Sequence, residues 1–176
     1  MNRIVLRLVP LAAVLSLAAC ASNPPSAGQT ASAHLQSKSG SQVGGVLKVA
    51  AMGDGVHVGG SVSGLKPNAV HAFHIHEKGD CSAADAASAG GHFNPTHQPH
   101  GSIEHGGMHH LGDQANLQTD SNGIARVDAR FAGVSLGTGA ANDVLGKAIV
   151  VHADPDDYHS QPAGNAGKRI ACGVIR

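Results

Sequence analysis

Tryptophan is absent from this chain of 176 residues, tyrosine occurs once and phenylalanine three times. A core built on aromatics is thereby excluded, as is an aromatic platform for stacking nucleic-acid bases. Charge is also sparse and balanced, with 12 Lys and Arg against 12 Asp and Glu. No basic stripe exists to engage a phosphate backbone, so nucleic acid is excluded as a partner. No long apolar pattern of helical period is present either, which argues against a helical fold. What the chain does have is Val, Ile, Leu and Ala for a core, 24 glycines for tight turns and 13 histidines.

The first segment is not part of a fold. Arg3 and Arg7 precede a run over 8–19 that is apolar except for Pro10 and Ser16. It is too short to span a bilayer and reads as a secretory signal. It ends Leu17-Ala18-Ala19-Cys20, which resembles a bacterial lipobox, where cleavage falls before the cysteine and the cysteine takes the lipid. The alternative is an ordinary signal peptide with a chance cysteine. Residues 21–41 are rich in Ala, Ser, Gly, Gln and Pro and lack apolar periodicity. The expected organisation is a signal peptide over 1–19, a flexible tether over 20–42 anchored by lipid at Cys20, and one folded domain over 43–176. Such a protein sits in the periplasm or cell envelope and meets the membrane only through its lipid. In an exported chain the remaining cysteines, Cys81 and Cys172, most simply form one disulfide, with two buried thiols as the alternative.

From residue 43 the pattern is one of short strands, over 43–51, 56–63, 69–77, 115–119, 124–131, 147–153 and 169–175. Turn signals separate most of them, including Gly53-Asp54-Gly55, Lys66-Pro67-Asn68 and Asp120-Ser121-Asn122-Gly123. This predicts an all-β antiparallel sandwich or barrel. Two connections, 78–114 and 154–168, are unusually long, and loops of that length are usually functional.

The histidines gather at those loops. His74 and His76 are two apart in one expected strand, so both rings reach the same side. His152 ends another strand. His92, His100, His110 and Asp113 lie in the first long loop, and three imidazoles with one carboxylate match a closed tetrahedral zinc site. Copper prefers a more planar nitrogen set, which His74, His76, His152 and one further histidine would supply. His97, His105 and His109, together with His34, His57, His71 and His159, read as solvated residues or weak adventitious ligands.

His74-Ile75-His76-Glu77-Lys78-Gly79-Asp80-Cys81 and Gly90-Gly91-His92-Phe93-Asn94-Pro95 resemble the copper–zinc superoxide dismutase family. So do His110-Leu111-Gly112-Asp113, Val150-Val151-His152-Ala153 and the stretch from Gly164 to Ile175. The motifs fall in the family's order from Val43 to Arg176, the bacterial exported lipoprotein type. The resemblance implies a Greek-key, immunoglobulin-like barrel or sandwich of about eight strands, with one copper and one zinc per chain. It implies that His74, His76, His92 and His152 hold copper, and that His92, as the bridge, with His100, His110 and Asp113 holds zinc. It places Asp156 where a carboxylate links a copper histidine to a zinc histidine, with Asp157 the less favoured candidate. Arg169 stands where the family guides its anion, and Cys81 and Cys172 where it has a disulfide.

The implied activity is an antioxidant one: superoxide is dismuted to dioxygen and hydrogen peroxide by a copper alternately reduced and oxidised. His92 would release copper on reduction, take a proton and deliver it to the peroxide. The second long loop departs from many eukaryotic members: Ser160-Gln161-Pro162-Ala163 stands where they are rich in Glu and Lys. Such loops shape oligomeric contacts, so a homodimer is left open with no mode carried over. A metal store is the main rival reading, but it has no need of Arg169. A cupin-type site lacks its following motifs, and a His-x-His-x-Asp-His hydrolase fails because Glu77, Lys78 and Gly79 follow His76.

Overall fold

The structure, a computed structural model, describes residues 28–104 and 106–176. The expected signal peptide, the anchor Cys20 and His105 lie outside the described residues. Among the described residues there are nine strands: β1 Thr30–Ser37, β2 Gly44–Met52, β3 Gly55–Ser63, β4 Val70–His71, β5 Phe73–His76, β6 Leu117–Gln118, β7 Ala125–Ala132, β8 Ala148–His152 and β9 Arg169–Val174. Among the described residues the only helical element is a 3₁₀ turn, Ala87–Ala89.

All strand pairs are antiparallel. Seven strands form one sheet in the order β5-β8-β9-β1-β2-β3-β7, and β4 pairs with β6 in a second. β4 runs into β5 through Ala72, and a Thr119–Ala125 bridge ties the β6 side to β7. The small sheet therefore connects the two edges of the large one. Neighbours such as β5 and β8, β9 and β1, and β3 and β7 are far apart in sequence, the crossovers of a Greek key.

Alternation explains the core. Leu47 and Val49 on β2, Val56, Val58 and Val62 on β3, and Val127 and Phe131 on β7 point inward. Phe73 and Phe131 meet at 5.9 Å between ring centroids. Every residue of β5 and β8 is buried. On β5, Phe73 and Ile75 belong to the apolar core, which leaves His74 and His76 on the opposite face, under the long loops.

β1 corrects the expected tether. Thr30–Ser37 pairs with β2 from Thr30 to Leu35 and with β9 at Gln36 and Ser37. Ala33 and Leu35 are buried while His34 and Gln36 are exposed. A period of two was present, but small Ala and Ser side chains disguised it as linker composition. Another expected strand, 69–77, is broken at Ala72. There the Ala72 N–H donates to the Asp154 carbonyl at 2.9 Å, and the His152 N–H donates to the Ala72 carbonyl at 2.9 Å. The strand changes partner from β6 to β8 at that corner. The expected strand over 115–119 shortens to β6.

Cys81 and Cys172 are joined in a disulfide, with 5.7 Å between their Cα atoms. It fastens the first long loop to β9, and Ala86, Ala89, Ala148 and Val150 pack around it.

Candidate metal centre

Two clusters of four side chains meet on the outer face of β5. One is His74, His76, His92 and His152; the other is His92, His100, His110 and Asp113. All are buried, and within each cluster one nitrogen or oxygen from every member lies within 4.8 Å of the others. His92 is common to both.

The strands place the first cluster. His74 and His76 share a face of β5, and β8 pairs His74 with Val150 and His76 with Ala148, bringing His152 alongside. An isolated bridge between His76 and His92 draws the first long loop back onto β5. Gly112 allows that return: a Cβ there would stand 2.2 Å from the Ile75 carbonyl oxygen. His76 Nδ1 donates to the Gly90 carbonyl at 2.9 Å, which leaves Nε2 as its free nitrogen. His76 Nε2 faces His152 Nε2 at 3.4 Å.

The second cluster surrounds Asp113. Its Oδ1 lies 2.7 Å from His92 Nδ1 and 3.1 Å from His110 Nδ1, and its Oδ2 lies 3.1 Å from His100 Nδ1. The backbone N–H of His110 donates to Asp113 Oδ2 at 2.8 Å and that of Gly101 at 3.2 Å. Three Nδ1 atoms thus converge on one carboxylate. While His100 Nδ1 meets the Asp113 carboxylate, His74 Nδ1 and His92 Nε2 are buried without a hydrogen-bond partner. Buried polar atoms are seldom left so, and a set of imidazole nitrogens around shared points suits cations. The donor sets fit a nitrogen-bound copper and a zinc held by three histidines and an aspartate.

Asp156 joins the clusters. Its Oδ2 accepts from His74 Nε2 at 2.7 Å, its Oδ1 accepts from His100 Nε2 at 2.9 Å, and the Tyr158 N–H donates to Oδ1 at 2.7 Å. Both ring nitrogens facing Asp156 are fixed as donors, so the Nδ1 atoms of His74 and His100 are turned toward the two sites. Gly164 is required beside it, since a Cβ there would stand 1.8 Å from Asp156 Oδ1. Asp157, the other candidate, instead organises its own loop, accepting from the backbone of His159 and Ser160.

The titration behaviour follows from this burial. Desolvation holds His76 and His152 well below the usual imidazole range, with neighbouring imidazoles adding to it, so both stay neutral. Burial lowers His92 to about 4 against the opposing hydrogen bond to Asp113. Burial also works to lower His100, but Asp113 and Asp156 outweigh it and raise it to about 9. Burial alone would raise Asp113 and Asp156; their histidine partners hold both below the usual carboxylate range.

Beside the first cluster opens a cleft lined by His76, His92, His152 and Arg169. Arg169 owes its place to an irregularity: β8 and β9 pair Val151 with Ala171 but His152 with Arg169, skipping a residue. A bulge of this kind re-aims a side chain. Arg169 Nη1 donates to the Ala86 carbonyl at 2.8 Å, in the loop that the disulfide fastens.

One histidine behaves otherwise than expected. His71 is buried, not solvated, with Nδ1 donating to the His152 carbonyl at 3.0 Å. His97 is exposed on the cleft wall, and His109 donates from Nδ1 to the His110 carbonyl at 2.9 Å. Sequence reasoning missed the clamp of Gln161, whose Oε1 accepts the His100 N–H and whose Nε2 donates to the His100 carbonyl, each at 2.9 Å. It also missed Asn116, which accepts the Asp156 N–H at 2.8 Å and donates to the Asp156 carbonyl at 2.9 Å. No motif marks either residue.

Residues 43–175 match the family model for copper/zinc superoxide dismutase. Copper–zinc superoxide dismutase 2 of Aquifex aeolicus (strain VF5) is 50% identical over 125 residues, covering 69% of this chain and 72% of the relative. The extracellular copper–zinc superoxide dismutase of Haemonchus contortus is 44% identical over 137 residues, covering 74% and 72%. A solved structure of a SOD-like protein from Bacillus subtilis is similar with a TM-score of 0.74 at 35% identity, covering 82% of this chain and 97% of that one.

Proposed function

Because the chain belongs to the copper–zinc superoxide dismutase family, we propose how its residues divide the work of that enzyme. The protein is an oxidoreductase that converts superoxide to dioxygen and hydrogen peroxide with one copper and one zinc. Copper goes to His74, His76, His92 and His152, and zinc to His92, His100, His110 and Asp113. Bound copper supplies the alternating one-electron acceptance and donation, while zinc has no redox chemistry and holds structure and charge. The observation that carries the assignment is His92, with Nδ1 against Asp113 and Nε2 buried without a partner in the other cluster.

The remaining roles follow from placement. His92 lines the cleft, and its Nε2, when not bound to metal, would hold a proton that a reduced product could take up. Asp156 keeps the His74 and His100 rings turned, acting as a positioning residue. Arg169 is a permanent cation on the cleft wall and holds the incoming anion. Metal analysis of single variants tests the division. His152→Ala should lose copper and keep zinc, and His110→Ala should lose zinc first; equal loss of both metals from both variants would overturn it.

The disulfide belongs to an oxidising compartment, as an exported protein requires. We place the enzyme in the cell envelope, with lipid on Cys20 and residues preceding β1 as the tether. The lipobox-like Leu17-Ala18-Ala19-Cys20 supports this. An intact-mass measurement on protein from membranes would find diacylglyceryl and acyl groups at Cys20, and an unmodified cysteine would refute the anchor. A homodimer is proposed with no interface assigned, and its test is the mass of the metal-loaded enzyme in solution.

A further inference from the structure

The family match begins at residue 43, yet the turn just before it, between β1 and β2, is built into the surroundings of Arg169. β1 pairs Gln36 with Cys172 and Ser37 with Ala171, and the same register sets Lys38 opposite Ile170 and Ser39 opposite Arg169. The Lys38 N–H donates to the Ile170 carbonyl at 2.9 Å, and the Ser41 hydroxyl donates to the same carbonyl at 2.6 Å. The Ser39 hydroxyl donates to the Arg169 carbonyl at 2.8 Å. Ser39 is left-handed, with a φ of 53°, and its N–H donates to the Ala84 carbonyl at 2.8 Å, in the loop that the disulfide fastens. Lys38 reaches the same loop, its Nζ donating to the Cys81 carbonyl. Two residues beyond Ala84, the Ala86 carbonyl accepts from Arg169 Nη1. Among the described residues the guanidinium makes no ion pair, and that carbonyl is its one hydrogen-bond acceptor. The turn therefore grips both the backbone that carries Arg169 and the loop that receives its side chain.

We propose that Lys38 and Ser39 are positioning residues for Arg169, locking the start of β9 to the disulfide loop so that the guanidinium is presented to the cleft in one place. The inference rests on the copper assignment and on the role given to Arg169 above. Neither Lys38 nor Ser39 lines the cleft, so both act only through Arg169. The attraction between a guanidinium and a bound anion falls with distance: a slip from roughly 5 Å to roughly 8 Å, at a dielectric of ~40, weakens anion binding about threefold.

The test is titration of the copper absorption band with azide, a monovalent anion that binds without turnover, in the full metal-loaded protein, beside the rate of superoxide decay per bound copper. Ser39→Gly removes the hydroxyl and suits the left-handed φ, and Lys38→Met removes the ammonium but keeps the stem, so the backbone bonds of the turn are kept. The double variant should bind azide about threefold more weakly and dismute superoxide more slowly in dilute buffer, with copper content and copper resonance spectrum as in the parent. In an Arg169→Ala background the same two changes should add nothing. Parental azide affinity and rate in the double variant would overturn the proposal. So would a loss of the same size in the Arg169→Ala background, which marks a packing defect and not the seating of Arg169. If azide left the parent's copper band unchanged, or Arg169→Ala kept the parental azide affinity, the copper assignment or the role of Arg169 would fall first and the proposal with it, a result distinct from either of these.

Discussion

Replacing Asp156 by asparagine changes one oxygen to an amide nitrogen and leaves the shape almost intact. In the parent, both carboxylate oxygens accept hydrogens from imidazoles, His74 Nε2 at 2.7 Å and His100 Nε2 at 2.9 Å, with all three side chains at 0% exposure. Asparagine can accept from only one ring and must present N–H groups to the other. Hydrogen bonds to a charged group are worth about 1.5–3 kcal/mol each, and leaving a buried donor unsatisfied costs a further ~1–3 kcal/mol. The displaced ring then loses its tautomer or its orientation, and metal affinity should fall by about 10–100-fold. Competition with a calibrated chelator would measure this for zinc and copper separately. The pH dependence gives a second reading. The Asp156 carboxyl is held below its ordinary 3.8, so its stabilisation is complete above that pH and is lost as pH falls further. The asparagine variant should be less stable at neutral pH and lose less on acidification. Wild-type affinity for both metals in Asp156→Asn would refute the view that this carboxylate orients the two sites.

In the metal-free protein His100, raised to about 9, carries a proton at neutral pH that zinc must displace. Zinc affinity should therefore rise with pH up to about 9, with about one proton released per zinc at pH 7 by calorimetry in buffers of different ionisation heat; affinity that does not change with pH would contradict this. Gly164→Ala puts a Cβ 1.8 Å from Asp156 Oδ1 at a φ of +63°, so it should weaken zinc binding in the same direction as Asp156→Asn, and an unchanged zinc affinity would refute the contact. Cys81→Ser with Cys172→Ser removes a cross-link closing a separation of 91 residues. It should cost about 4–5 kcal/mol in the chain-entropy model, read by denaturant unfolding, and should slow turnover by loosening the loop whose Ala86 carbonyl holds Arg169. Arg169→Ala should slow superoxide decay and flatten its dependence on salt; an unchanged rate at low salt would count against its role.

The legible parts of the chain were those in which chemistry demands a residue type at a spacing. His74 and His76 share a face because strands alternate, and the clusters of His92, His100, His110 and Asp113 meet as expected. Cys81 and Cys172 pair as export suggests. What stayed hidden depends on backbone that any residue can supply. The Gly90 carbonyl that fixes the His76 tautomer and the skipped residue that sets Arg169 opposite His152 leave no mark in composition. β1 was concealed for a different reason: Ala31, Ala33 and Leu35 alternate with Ser32, His34 and Gln36, but alanine and serine are too alike in size to show the period. His71 was misread because a buried histidine serving a carbonyl looks, in sequence, like a solvated one.

Superoxide decay catalysed by the copper- and zinc-loaded protein, beside His76→Ala prepared in the same way, tests the central claim most directly. The account predicts fast decay in proportion to bound copper, lost in the variant while zinc is retained. Two bound metals with no catalysis in the unaltered protein would contradict it.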